Sequence, residues 1–145
     1  MTLRGFINTP APAVRPDSPV TEAVRLMGRD KVGAVLVAED RKLKGIFTYR
    51  DLIDRVLLAG RNPESTPVCQ VMTAAVESIG KEGSYADALR VMIERDFTYL
   101  PVVDAEQRVL GMVSLRDLLQ HRVDDLSGRM DSLAKYFAAD AMGGD

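Results

Sequence analysis

A chain of 145 residues, 46% hydrophobic and 28% charged, has the composition of an ordinary globular protein and is long enough to bury roughly 70% of its unfolded surface. A formal net charge of −2 without any block of basic residues argues against a general nucleic-acid binder, which gathers Lys and Arg on one face. Cys69 is the only cysteine, so an intramolecular disulfide is excluded, a cysteine-built metal site is unsupported, and a reducing compartment is the simplest reading.

Residues 1–10 lack the apolar core of a signal peptide, and no apolar run approaches the ~20 residues of a membrane span. A cytoplasmic protein without membrane contact is expected. Pro10, Pro12 and Pro16 exclude a helix in residues 1–16 and confine any strand near Ala13–Val14 to a sheet edge. Ser18, as N-cap, and Pro19, at the first helical position, predict a helix whose apolar face is Ala23, Val24, Leu26 and Met27 and which stops near residues 28–30. The valine-rich run 32–38 is too short for most helices and reads as a buried strand. A polar turn at 39–42 leads into a second strand, 43–47, and a helix over 49–59 that Gly60 is placed to terminate.

Residues 61–67 form a polar, proline-bearing connection, after which the order repeats. Residues 71–73 and 75–78 form the entry segment. Ser84-Tyr85-Ala86-Asp87 is a capping-box pattern ahead of Ala88, Leu89, Val91, Met92 and Ile93. A strand at 97–103, a turn at 104–107, a returning strand at 109–113 and a closing helix at 115–126 follow. Met92 minus Met27 gives an offset of 65 and Asp117 minus Asp51 gives 66, so one residue is inserted, in the second hairpin turn. A turn tolerates that insertion, whereas a slip inside a strand turns its core face outward. The expected fold class is α/β, more narrowly α+β: two βαββα units, 8–60 and 71–126, joined by a linker at 61–70. Each unit is marginal alone, and packing two apolar sheet faces together stabilises both. The tail, 127–145, carries Met130, Leu133, Tyr136 and Phe137 in a helical stripe suited to a partner subunit, and its Gly143-Gly144 end is read as disordered.

Residues 45–53 and 111–119 share one grammar: a glycine, two strand-type apolar residues, a hydroxyl residue, any residue, arginine, aspartate and an apolar helical run. A strand delivers the chain into a helix N-terminus twice. Thr48 and Ser114 take the N-cap, and Asp51 and Asp117 the third helical position, where amides and the helix dipole favour an anion. Simple helix caps, worth ~1 kcal/mol each, are the alternative reading. Against it, reciprocal capping boxes prefer the longer Glu or Gln, so the shorter aspartate is expected to leave its carboxylate freer for a ligand.

The duplicated unit, the Gly-x-x-Thr/Ser-x-x-Asp ending of each copy and the Val102-Val103 pair before an acidic turn resemble a tandem cystathionine-β-synthase (CBS) domain pair, or Bateman module, over about residues 8–126. The connection and short tail resemble small stand-alone bacterial members. The resemblance implies pseudo-twofold packing of the two units, two clefts between them for adenosyl nucleotides, and a disc-like homodimer. Carried over by motif position, Asp51 and Asp117 each accept hydrogen bonds from a ribose diol. Thr48 and Ser114 contact phosphate, Arg50 and Arg116 reach it with a forked guanidinium, and adenine lies against Val32, Ala34, Phe97 and Tyr99. Repeat one reads Gly33-Ala34-Val35-Leu36 where repeat two reads Thr98-Tyr99-Leu100-Pro101, so the clefts differ in bulk and Tyr99 is expected to fill part of one.

These readings point to a non-catalytic sensor whose regulatory ligand is an adenine nucleotide: AMP, ADP, ATP or NAD(H), and less readily S-adenosylmethionine. A ligand-free dimerisation or docking module for a downstream protein is the alternative. Hydrolysis of a nucleotide needs a metal or a base near the phosphate. The sequence offers no histidine cluster, Walker sequence or convincing acidic pair, so no catalytic or metal-binding residue and no catalytic cofactor is assigned. His121, the only histidine, and Cys69 are read as structural or surface residues.

Overall fold

The computed structural model describes residues 1–143. Its elements run β1 (Ala13–Val14), α1 (Val20–Asp30), β2 (Ala34–Glu39), β3 (Lys42–Thr48), α2, β4 (Ile79–Gly80), α3 (Tyr85–Arg95), β5 (Tyr99–Val103), β6 (Val109–Ser114) and α4 (Leu115–Gly143). α2 starts as one α turn, Tyr49–Asp51, and continues as a π-helix, Leu52–Leu57. Each sheet has three strands, β1-β2-β3 and β4-β5-β6, with a two-residue edge strand parallel to the central strand and an antiparallel hairpin. The architecture is mixed α+β, two copies of βαββα.

The hairpins carry the same irregularity, a register shift between Val37 and Ala38 in one and between Val102 and Val103, 65 residues on, in the other. Residues 40–41 turn the first hairpin, both with positive φ, and residues 104–108 the second, so the inserted residue sits in the turn as predicted. Asp104 organises that longer turn, its carboxylate accepting the amides of Glu106 and Arg108, each at 2.9 Å. The two turns also meet: the Leu43 amide donates to the Gln107 carbonyl at 3.1 Å, and the Val109 amide to Arg41 at 2.7 Å.

Several local expectations are corrected. Ser18 does not cap α1; Pro19 is the N-cap, and the first helical amides donate to the linker, Val20 to the Thr66 carbonyl at 3.0 Å and Thr21 to Pro63 at 3.2 Å. Tertiary carbonyls thus satisfy the orphan amides. α1 does stop where expected, at Asp30, followed by a left-handed Lys31 (φ 54), as α3 ends on Asp96 (φ 57). The second edge strand lies at Ile79–Gly80, just beyond the entry segment expected at 71–73 and 75–78, and Val76 of that segment packs between the sheets. The helix expected over 49–59 is regular only to Asp51. In this π-helical segment Val56 is buried in the first core and Leu52 packs against it half-buried, and the apolar run gives no signal for the wider turn. Gly60 ends the segment with φ 72, as expected. Ahead of the first proline, Arg4–Phe6 forms a 3-10 turn. At the tail, Gly143 is the last described helical residue, and the remainder of the end read as disordered lies outside the described residues.

Both sheets are buried on two faces, which is why β2 reads as an unbroken apolar run. Val35, Val37 and Phe47 face α1 and Val56, whereas Ala34, Leu36 and Ile46 face the other unit and meet Met112 there. Leu100, Val102 and Val113 likewise pack on Ala88, Met92 and Leu118. Each large side chain so buried contributes about 1.5–3 kcal/mol.

The chain ends of the units are exchanged. Leu3 is fully buried in the second unit's core, and Asn8 pairs with Met112. Val68 and Val71 are buried in the first unit's core, and Thr73 pairs with Ile46. Residues 3 and 68, like 8 and 73, are 65 apart, so the exchange obeys the duplication.

Candidate functional site at the strand-to-helix junctions

At the first junction the extended Thr48 is the N-cap of α2, and its hydroxyl accepts the Asp51 amide at 3.3 Å. Asp51 returns the bond. Its carboxylate accepts the Thr48 amide at 3.0 Å, the Thr48 hydroxyl at 3.2 Å and, from across the linker, the Thr73 hydroxyl at 3.3 Å. Arg55, one helical turn on, lies 3.6 Å from its other oxygen. The Asp51 side chain is 8% exposed. Contrary to expectation, the short aspartate does close a capping box, because the extended backbone of Thr48 brings its amide within reach.

The second junction repeats the geometry with fewer partners. The Ser114 hydroxyl accepts the Asp117 amide at 3.0 Å, and the Leu115 amide donates to Thr98. Asp117 is exposed, and its one side-chain hydrogen bond among the described residues comes from Asn8, at 3.1 Å. Asn8 and Thr73 therefore hold equivalent places beside the two carboxylates, each brought by an exchanged segment. Sequence reasoning missed both, although their spacing of 65 is the repeat offset already visible in the helices. It also missed Arg55, whose counterpart 66 residues on is His121. That ring packs edge-on against Phe6 and Tyr85, so Asp117 has no cation in the place where Asp51 has one.

The motif glycines admit those segments. A Cβ on Gly45 would stand 2.7 Å from the Thr73 carbonyl and the Met72 sulfur; on Gly111 it would stand 2.5 Å from Ile7 and 2.7 Å from the Asn8 carbonyl. Their role is close backbone approach: only without a side chain can residues 7–9 and 72–73 cross the strand and reach the aspartates.

The remaining residues predicted to form the site are dispersed. Arg116 and Ser114 line a cavity of about 430 Å3 with Tyr49, Thr98, Tyr99, Leu115, Leu119, Gln120 and Val123. Asp117 stands next to Arg116 in sequence but does not line that cavity; it faces Asn8. Arg50 is exposed at the first junction and Val32 half-buried. Ala34 is fully buried between the sheets, and Phe97 packs on the second core. Tyr99 joins the inter-sheet cluster, and its hydroxyl accepts the Gly33 amide at 3.0 Å. The shifted carboxyls all lie elsewhere. Arg29 beside Asp30, Arg4 beside Glu82, and the Arg108 amide at Asp104 hold those groups below the usual carboxylate range.

Among the described residues no cluster of three or more His, Cys, Asp or Glu is arranged to hold a metal ion, and no helix is long and apolar enough to cross a membrane. Both helix N-termini bear a hydroxyl and a carboxylate and are flanked by an arginine, but only at the second is the carboxylate exposed with a single donor and so open to an anion and a diol.

Known proteins agree with this architecture. The CBS domain family matches residues 3–58 and again 68–124. The CBS domain-containing protein YhcV of Bacillus subtilis is 32% identical over 126 residues, 87% of this chain and 89% of that protein. Meiotically up-regulated gene 70 protein of Schizosaccharomyces pombe is 41% identical over 96 residues, 66% of this chain but only 13% of its own length. The arabinose 5-phosphate isomerase GutQ of Escherichia coli O6:H1 is 33% identical over 110 residues, 75% of this chain and 34% of the enzyme. Among solved structures, a protein with CBS domains from Burkholderia ambifaria superposes with a TM-score of 0.78 at 27% identity, covering 86% of this chain and 96% of that one. The cytosolic domain of the Mg2+ channel MgtE, in complex with ATP, superposes with a TM-score of 0.67 at 30% identity, covering 80% and 46%. Two family matches falling on the two βαββα units establish that this chain belongs to the CBS domain family and is built as a tandem CBS pair of regulatory type.

Proposed function

We propose that the chain is a non-catalytic sensor that binds an adenine nucleotide at its second junction and acts as a homodimer. One observation carries this reading. Of two equivalent aspartates, Asp51 is buried and fully engaged by its own chain, whereas Asp117 is exposed with a single amide donor, at the N-terminus of the long helix α4. Asp117 can exchange Asn8 for the vicinal hydroxyls of a ribose, since a carboxylate offers two acceptor oxygens. Ser114 and Arg116 supply a hydroxyl and a guanidinium for phosphate, with the helix dipole favouring its charge. AMP, ADP, ATP and NAD(H) fit this chemistry, S-adenosylmethionine less well for lack of phosphate. The ATP complex of the MgtE domain supports the ligand class. A ligand shifts such a module only through differential affinity for two arrangements of its units.

Isothermal calorimetry with these five ligands tests the proposal. One of them is expected to bind with sub-millimolar affinity, with Asp117→Ala weakening it at least tenfold and Asp51→Ala much less. Absence of binding to all five in folded dimer would sink the sensor reading.

A docking module is the second reading, favoured by α4. Leu119, Val123, Leu126, Met130, Leu133 and Phe137 are all exposed and follow spacings of 4, 3, 4, 3 and 4, the repeat of a coiled-coil seam. Deleting residues 127–145 then abolishes partner capture while leaving nucleotide binding untouched.

A further inference from the structure

Tyr99 opens β5 opposite Ser114 of β6, yet its side chain reaches the other unit. Its ring packs with Ala34, Leu36, Ile46 and Met112, and its hydroxyl accepts the Gly33 amide at 3.0 Å. The contact has no symmetric counterpart, because Ala34 stands 65 residues before Tyr99 and carries no hydroxyl to return it. Gly33 is enclosed from a second direction by Tyr49: a Cβ there would lie 2.2 Å from that ring, and the Tyr49 amide donates to the Gly33 carbonyl at 3.1 Å. Both tyrosines line the cavity that holds Ser114 and Arg116. The Gly33 N–H is thus a backbone donor beside that cavity, already taken by a side chain of the same protein.

We propose that the Tyr99 hydroxyl is a built-in occupant that competes with a ligand's heterocycle for the Gly33 N–H, so that ligand entry and the Tyr99–Gly33 link between the two units exclude each other. The proposal rests on the nucleotide reading and adds its regulation. An adenine ring presents acceptor nitrogens able to take the same amide, and each such exchange breaks the hydrogen bond that ties the Tyr99 hydroxyl to Gly33 of the first unit. The link is a discrete two-state contact across the pseudo-twofold interface, which a ligand can bias.

Tyr99→Phe removes the competing acceptor and leaves the ring. ATP and AMP are titrated into wild type and variant by calorimetry, and the Gly33 amide is followed by 1H–15N NMR in the wild type. The expected result is roughly fivefold tighter binding to Tyr99→Phe, the size of one net hydrogen bond, with a lower melting temperature of the free protein. In the wild type the Gly33 resonance is expected to move on saturation. A merely structural tyrosine would lower the melting temperature without tightening binding. Wild-type binding with unchanged or weaker affinity in the variant overturns the competition and leaves the nucleotide reading standing, as does an unmoved Gly33 amide in ligand-saturated wild type if the variant fails to fold. Binding by the variant alone supports autoinhibition, and no binding by either protein overturns both readings.

Discussion

Arg55 in the first unit and His121 in the second occupy equivalent helical positions one turn after the motif aspartate, and they leave the two carboxylates in different surroundings. Arg55 is itself half exposed, so its ion pair with Asp51 contributes at most about 1 kcal/mol. The hydrogen bonds matter more: removing the buried carboxylate strands the Thr48 amide and the Thr73 hydroxyl. Asp51→Ala is expected to destabilise the protein by about 1–3 kcal/mol, read as a lower urea midpoint at unchanged slope. Asp117→Ala, at an exposed position, should stay within ~0.5 kcal/mol and show its effect in ligand affinity. Asp104 governs acid behaviour in the second hairpin. The Arg108 amide, then the Glu106 amide and the Arg108 guanidinium, favour its charged form and hold its carboxyl below the usual carboxylate range. Its folded value lies below its unfolded one, so its contribution is present above the ordinary carboxylate range, near pH ~4, and fades as pH falls through the folded value. Melting temperatures measured from pH 6 to pH 3 should therefore fall less steeply in Asp104→Asn than in the wild type.

The elements owe their boundaries to different causes. The strands follow from apolar runs buried on two faces, and the positions of Asp51 and Asp117 on their helices follow from the N-cap grammar, both readable in residue order. The start of α1 does not, because its first amides are satisfied by the carbonyls of Pro63 and Thr66, some forty residues away. Nor does the close approach at the motif glycines, which depends on a chain segment arriving from the other unit. Gly111→Ala places a methyl group against Ile7 and the Asn8 carbonyl, and backbone cannot yield as a flexible side chain can. A loss of about 1–3 kcal/mol is expected, with amides of residues 1–9 exchanging faster with solvent and Asn8 withdrawn from Asp117. Unchanged exchange in that segment would disprove the crossing role of Gly111.

At the scale of the molecule, the exchanged segments make each unit depend on the other half of the chain. Leu3, fully buried beside Tyr85 and Leu118, belongs by sequence to the first unit and by packing to the second. Leu3→Ala is expected to cost about 2–5 kcal/mol and to melt the whole protein in one transition rather than one unit alone; two separated calorimetric transitions would contradict this dependence. The tail extends the same helix that follows Ser114 and carries Asp117, so a partner seated on the seam from Leu119 to Phe137 touches the element that begins at the proposed ligand site.

The duplication, the βαββα order, the inserted turn residue and the two Thr/Ser-x-x-Asp caps are determined by local sequence. Hydrophobic period, turn chemistry and cap spacing act within a few residues, and a repeat offset preserves them. That the two clefts differ in bulk is legible in residue order, where Tyr99 takes the place that Ala34 has in repeat one; the unequal surroundings of the two aspartates were decided by tertiary structure. Thr73 and Asn8 reach their aspartates only through exchanged chain segments, Arg55 turns toward Asp51 while His121 turns toward Phe6 and Tyr85, and Tyr99 spans the interface to Gly33. These contacts join residues far apart in sequence, and their partners are selected by packing across the pseudo-twofold interface rather than by any pattern along the chain.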